Sequence, residues 1–151
     1  MSFRGRIPRN VDNQGRIMLP PEYREALTHL AKSEDGKLAL TTYDDCVVGI
    51  PLPLWLEFEN KLQAIKNPSE KLRKFKRLVM SGATVGAPDS QGRIRLNQDQ
   101  LGYAGIADEA YLVGNSERFE LWLPQRFEEN VLRQDYSDIS SELPEGVGLI
   151  F

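Results

Sequence analysis

An α+β fold, built from one small strand–turn–strand–helix–hairpin–helix unit used twice, is what this sequence predicts. Three observations carry that expectation. The stretch "DNQGRIML" at 12–19 returns as "DSQGRIRL" at 89–96, with six of eight positions identical. At the same offset of 77, Gly5 aligns with Gly82 and Phe3 with Met80, so the repeat includes the strand leading into the turn. After each turn the same succession follows, a helical apolar period and then two alternating runs joined by polar residues.

In the first unit, "RGRIPRNV" enters the turn and "RIML" leaves it as a short strand. Pro20 and Pro21 stop that strand and suit the first turn of a helix, "PPEYREALTHLA", with Tyr23, Ala26, Leu27 and Leu30 on its apolar side. "KLALTTY" and "CVVGI" around "DD" form a hairpin. "PLWLEFENKLQAI" follows as a helix, with Leu54, Phe58, Leu62 and Ile65 as its expected buried stripe. A basic helix, "NPSEKLRKFKRLVMSG", joins the halves, with Leu72, Phe75 and Val79 expected beneath a solvated charged face.

The second unit repeats this order. "GATVGAP", the "DSQG" turn and "RIRL" lead into a helix near "NQDQLGYAG", which its two glycines weaken. "EAYLVG" and "RFELWL" form the second hairpin around "NSE", and "PQRFEENVLRQ" is the expected closing helix. Trp55 and Phe127 hold matching places early in the last helix of each unit. The expected division is a first module over 1–66, a connecting helix over 67–79, a second module over 80–135 and an acidic, loosely held tail over 136–151.

With 151 residues and 40% apolar content, the chain is long enough to bury a substantial core. "CVVGIPLPLWL", its longest apolar stretch, is broken by Pro51 and Pro53 and is too short to span a bilayer. The basic start "MSFRGRIPRN" has no apolar block after it, so no secretory signal is expected, and the single Cys46 suits a reducing cytoplasm. The net charge of −3 is unevenly placed. Arg4, Arg6, Arg9, Arg16 and Arg24 dominate the start, lysines and arginines crowd 61–77, and the end is acidic. A polyanion responds to the local field, so this segregation is compatible with nucleic acid.

Gly15 and Gly92 suit a backbone of positive φ, and Asp12 and Asp89 suit bonds to N–H groups across a bend. Neither role requires the arginine that follows each glycine. Arg16 and Arg93 either brace the turn through its aspartate or present guanidinium groups to phosphates and guanine edges. The two roles are compatible. Arg4, Arg6 and Arg9 are expected to make one positive face with Arg16, whereas "MSGATVGAP" offers no basic residue before Arg93. Arg16 is therefore the expected reader, with bracing the larger share of Arg93.

With these residues assembled, the chain resembles the MraZ family of bacterial transcriptional regulators. The matching residues are the opening "FRG", the paired Asp-x-x-x-Arg turns, "PLPLW" before the middle helix, and "LVG" followed by "FELW". The resemblance extends to about residue 133. It implies two tandem AbrB-like (SpoVT-type) β-barrel modules in pseudo-symmetric arrangement with peripheral helices. It further implies a ring-like homo-oligomer that binds double-stranded DNA, at repeated elements in the promoter of the cell-division and cell-wall gene cluster. The family motif maps onto Asp12, Arg16, Asp89 and Arg93, and the basic residue of "FRG" onto Arg4. Many members carry Lys before the turn glycine; here Gln14 and Gln91 stand there and supply no charge. The expected DNA-contacting set is Arg4, Arg6, Arg9, Gln14, Arg16 and Arg93, in a cytoplasmic, nucleoid-associated protein without cofactor, metal or membrane.

An oligomer is also expected from the residues, because short strands and apolar positions such as Trp122 and Ile94 lack obvious partners within one small unit. The rival reading is an AbrB-like interaction or antitoxin-type protein without a promoter-specific role. An enzyme is disfavoured: His29 and Cys46 are the only residues of their types, and no nucleophile stands beside a base. Asp44–Asp45 suit a hairpin tip better than a metal site.

Overall fold

The computed structural model describes residues 1–151. Its strands and helices alternate as the repeat predicts. β1 (Arg6–Asn10) and β2 (Arg16–Met18) flank the first turn. Pro21 then opens α1 (Pro21–Ala31), which ends where Lys32 turns left-handed at φ 54°. β3 (Leu38–Tyr43) and β4 (Cys46–Pro51) form a hairpin whose tip residues, Asp44 and Asp45, both have positive φ. That geometry favours short polar residues, as expected of this pair. α2 (Leu52–Gln63) follows, and Ser69 caps α3 (Glu70–Ser81) by accepting the Leu72 N–H at 3.1 Å.

In the second half β5 (Thr84–Gly86) and β6 (Arg93–Arg95) flank the second turn. α4 (Gln98–Ala104) offsets its internal Gly102 with a reciprocal cap between Asn97 and Gln100, and Gly105 closes it at φ 72°. β7 (Glu109–Asn115) and β8 (Arg118–Trp122) complete the second hairpin. The expected closing helix is shorter than its period suggests. α5 (Pro124–Phe127) makes one α turn and then widens into a π turn over Glu128–Leu132.

The pairing exchanges strands between the halves. The main sheet runs β1-β7-β8-β4-β3-β5, so each hairpin is flanked by the leading strand of the other unit. β1 pairs with β7 over five residues, and β5 pairs with β3 over three. A separate antiparallel ribbon joins β2 to β6. Two pairings lie on a pseudo-two-fold axis. Ile17 faces Ile94, its equivalent 77 positions on, and Val48 faces Glu120, separated by the same 72 positions as Trp55 and Phe127.

The ribbon covers one face of the sheet rather than continuing its ladder. Ile17, Leu19, Ile94 and Leu96 join Leu40, Val47, Leu112, Phe119 and Leu121 in one core of 18 buried residues. Equivalent positions 23 and 100 tether the two lead-ins. The Tyr23 hydroxyl donates to the Arg4 carbonyl at 2.9 Å, and the fully buried Gln100 amide donates to Gly82 at 3.1 Å and Leu40 at 3.2 Å. On the other face Cys46, Val48, Trp122 and Phe127 form a smaller cluster, and Trp55, the equivalent of Phe127, is buried as well.

Two expectations about exposure change. Ile94 and Trp122 are 2% and 5% exposed, because strand exchange and Phe127 supply partners within the same chain. In α2 the buried residue is Trp55, while Phe58 and Ile65 of the expected stripe are exposed. Trp55, Leu54 and Phe58 border an open groove shared with Val48 and Ile50 of the sheet and with Phe75 and Val79 of α3. In α3 Val79 is buried, Leu72 and Phe75 are half-buried, and Lys71, Arg73, Lys74 and Arg77 face outward. The tail beyond Asp135 has one short 3-10 turn, Ile139–Glu142, and is nearly all exposed.

Candidate nucleic-acid interface

Each repeat folds its Asp-x-x-Gly-Arg stretch into the same bracket. Asp12 Oδ1 accepts the Gln14 and Arg16 backbone N–H groups, both at 2.9 Å, while Oδ2 accepts Arg16 Nε at 2.7 Å. Asp89 Oδ1 accepts the Gln91 and Arg93 N–H groups, again at 2.9 Å, and Oδ2 accepts Arg93 Nε at 2.8 Å. Gly15 and Gly92 take φ of 78° and 83°. The two brackets interlock: Leu19 N–H donates to the Gly92 carbonyl at 3.0 Å, and Leu96 N–H donates to the Gly15 carbonyl at 2.9 Å. Bracing is therefore equal in the two turns.

These bonds hold both aspartates ionised. The Arg16 backbone N–H, then its side chain and the Gln14 N–H, bring the Asp12 carboxyl down to about 2. Asp89 is lowered by the same groups, led by the Arg93 N–H. Each arginine is engaged through Nε alone. Its terminal nitrogens make no hydrogen bond within the chain, and its side chain stays about a third exposed.

Alternation along the ribbon decides what faces outward. Ile17 and Ile94 point into the core, so Arg16, Met18, Arg93 and Arg95 share the outer face. The polar tips Asn13, Gln14, Ser90 and Gln91 are exposed beside it. The chain thus displays two braced arginines, 77 positions apart in sequence, on one two-stranded ribbon.

Comparison with known proteins matches this doubled geometry. The family model described as MraZ protein, antitoxin-like, fits the chain twice, over residues 3–78 and 79–145. A protein of Nitratidesulfovibrio vulgaris Hildenborough named Transcriptional regulator MraZ is 47% identical over 152 residues, covering both chains fully. A protein of the same name from Oleidesulfovibrio alaskensis is 45% identical, covering 96% of this chain and 95% of its own. One from Lactobacillus helveticus is 31% identical over 93% of this chain and 96% of its own. The chain belongs to the MraZ family.

The fold is accordingly that of two tandem AbrB-like units, with their strands distributed between a six-stranded sheet and the covering ribbon. The MraZ turn residues Asp12, Gly15, Arg16, Asp89, Gly92 and Arg93 lie together as the repeat implies. The expected company of Arg16 does not gather as one face. β1 alternates, sending Ile7 toward the main core and Arg6 to the opposite side of the sheet. There the Arg6 guanidinium lies 5.8 Å from the Phe127 ring centre and 6.0 Å from that of Tyr111. Arg9 keeps to the ribbon side, where its Nη1 donates to the Met18 carbonyl at 3.4 Å. Arg4 is exposed and bonds Ser2.

Two other arginines take up positions that the linear reading missed. Arg95 Nε donates to the Gln14 carbonyl at 3.1 Å, and Arg24 packs along the α-carbon of Gly92. One signal for Arg95 stood in the repeat itself, where its equivalent is uncharged Met18. Elsewhere, no group of three or more His, Cys, Asp or Glu has a metal-holding arrangement, and no helix is long and apolar enough to cross a membrane. Cys46 is buried, and its thiol is pushed well above the ordinary range by that burial.

Proposed function

We propose that this chain is a sequence-specific transcriptional regulator that binds double-stranded DNA through its two Asp-x-x-x-Arg turns. One observation carries the reading: Arg16 and Arg93 share the outward face of one ribbon, each fixed at Nε and open at its terminal nitrogens. A guanidinium so held has lost rotamer freedom before binding, and its remaining donors suit phosphate oxygens or a guanine edge. A two-stranded ribbon also matches the width of the DNA major groove. Gln14, exposed at the first turn tip, adds an uncharged donor and acceptor, and Arg9 and Arg4 add positive charge. Arg6, stacked on the far side of the sheet, is the weakest member of the set.

The expected targets are repeated promoter elements, including those upstream of the chain's own gene, read in the cytoplasm at the nucleoid. Several subunits engage together in a homo-oligomer. Support for assembly comes from the apolar groove of about 570 Å³ walled by Trp55, Phe58, Phe75 and Val79, from exposed Leu56 of α2 and Leu78 of α3, and from exposed Val85 on edge strand β5.

The test pairs Arg16→Ala and Arg93→Ala in thermal melts, light scattering and shift assays on the chain's own upstream DNA. Each ion pair is partly exposed to solvent, so each variant should melt close to wild type. Loss of a specific arginine contact costs about 1–3 kcal/mol, multiplied across engaged subunits. Specific binding should therefore nearly vanish for Arg16→Ala at wild-type oligomer size. Unchanged binding by both folded variants would refute the reading.

A further inference from the structure

The two copies of the eight-residue turn motif differ at only two positions, and one of them, Met18 against Arg95, adds a charge. Both residues point outward from the ribbon, Met18 across from Arg93 and Arg95 directly across from Arg16. The turns are therefore alike in their brackets and unlike in their neighbours. Directly across the strand, the first has a second guanidinium, contributed by the other repeat, and the second has a thioether; Arg24 of α1 packs instead against the backbone of the second turn at Gly92.

Two like charges in direct cross-strand register repel. Here Asp12 counters the charge of Arg16 in part, but no carboxylate pairs with Arg95. Asp12 is already engaged by Arg16, Asp89 by Arg93, and Arg95 makes no ion pair. Its hydrogen bond to the Gln14 carbonyl aims it at the first turn without neutralising it. An anion seated between the two guanidinium groups would turn repulsion into attraction, with charge-assisted donors on two sides.

We infer that Arg95 and Arg16 form a composite phosphate clamp, built from both repeats and present at the first turn only. The inference rests on the DNA-binding reading above and gives it an asymmetry. The first turn carries the principal backbone anchor, and the second, with Met18 in the equivalent place, has no guanidinium across the strand from Arg93. Arg95 is thus a binding residue outside the Asp-x-x-x-Arg motif.

Arg95→Met makes the second repeat like the first, and Met18→Arg gives the second turn a clamp of its own. Both should be measured by shift assay on the upstream duplex over a range of salt concentrations, with melting and oligomer size recorded alongside. Arg95→Met should bind about tenfold more weakly or worse, with a shallower salt slope, by about one per engaged subunit. Its melting midpoint should hold or rise, since the cross-strand repulsion is gone. Met18→Arg should bind more tightly with a steeper slope. Wild-type affinity and slope for folded Arg95→Met would overturn the inference. Should Arg95→Met fail to fold, an unchanged slope for Met18→Arg overturns it instead. If Arg16→Ala abolishes binding while Arg95→Met does not, the clamp fails and the DNA reading stands; a wild-type chain that shifts no duplex removes the reading itself.

Discussion

The backbone N–H of Leu96 donates to the carbonyl of Gly15 at 2.9 Å, so the first turn is closed by a residue from the second repeat. The reciprocal bond runs from Leu19 to Gly92. With β1 paired to β7 and β5 to β3, neither repeat holds its own leading strand.

Half-chains should consequently fail to fold alone. Residues 1–81 expressed separately lack the partners of β1 and β2, and residues 82–151 lack those of β5 and β6. Circular dichroism should show each fragment without a cooperative melt, and mixing the two should restore one. A cooperative melt from a monomeric fragment would contradict the exchanged topology.

Substituting the two turn glycines should have unequal effects. Both positions have positive φ, which costs an alanine about 1–2 kcal/mol. At Gly15 the added methyl also meets the Leu96 carbonyl, a fixed backbone group, whereas at Gly92 it meets a side chain, that of Arg24. Gly15→Ala should lower the melting temperature more than Gly92→Ala. Equal losses would show that backbone strain alone governs both sites.

Acid should loosen the turns before it protonates them fully. The Asp12 carboxyl falls from its ordinary 3.8 to about 2 in the folded chain, and Asp89 is lowered as well. A depressed folded value means that the stabilisation is complete above the ordinary value and is lost as pH falls through 3.8 toward 2. Asp12→Asn should melt lower than wild type at neutral pH and lose less between pH 4 and pH 2, a comparison followed by the melting midpoint at about five pH values. Parallel pH profiles for the two proteins would place the acid sensitivity elsewhere.

Removing the tail should spare DNA binding. Residues 136–151 carry Asp138, Glu142 and Glu145 without a basic residue, and their side chains are nearly all exposed. Their charge opposes phosphate, so a chain ending at Asp135 should bind DNA as well as the whole chain or better. Loss of affinity with oligomer size intact would place the DNA surface near the tail.

The sequence by itself determined the elements and the bracket chemistry. Asp12, Gly15 and Arg16 are local: their bonds reach at most four residues along the chain, so spacing alone foretells them, and repetition at 89–93 confirms the unit. Pro21 at a helix start, Asp44–Asp45 at a hairpin tip and the matched burial of Trp55 and Phe127 follow from equally short-range rules. Only tertiary structure decided which strands exchange, because a hairpin within one unit and a pairing between units place the same apolar alternation against water and core. That choice buried Ile94 and Trp122, sent Arg6 behind the sheet, and set Arg95 opposite Arg16 across 79 positions of sequence. Which charges share a face depends on strand register, and register between distant strands is set by how the two apolar faces close over one core.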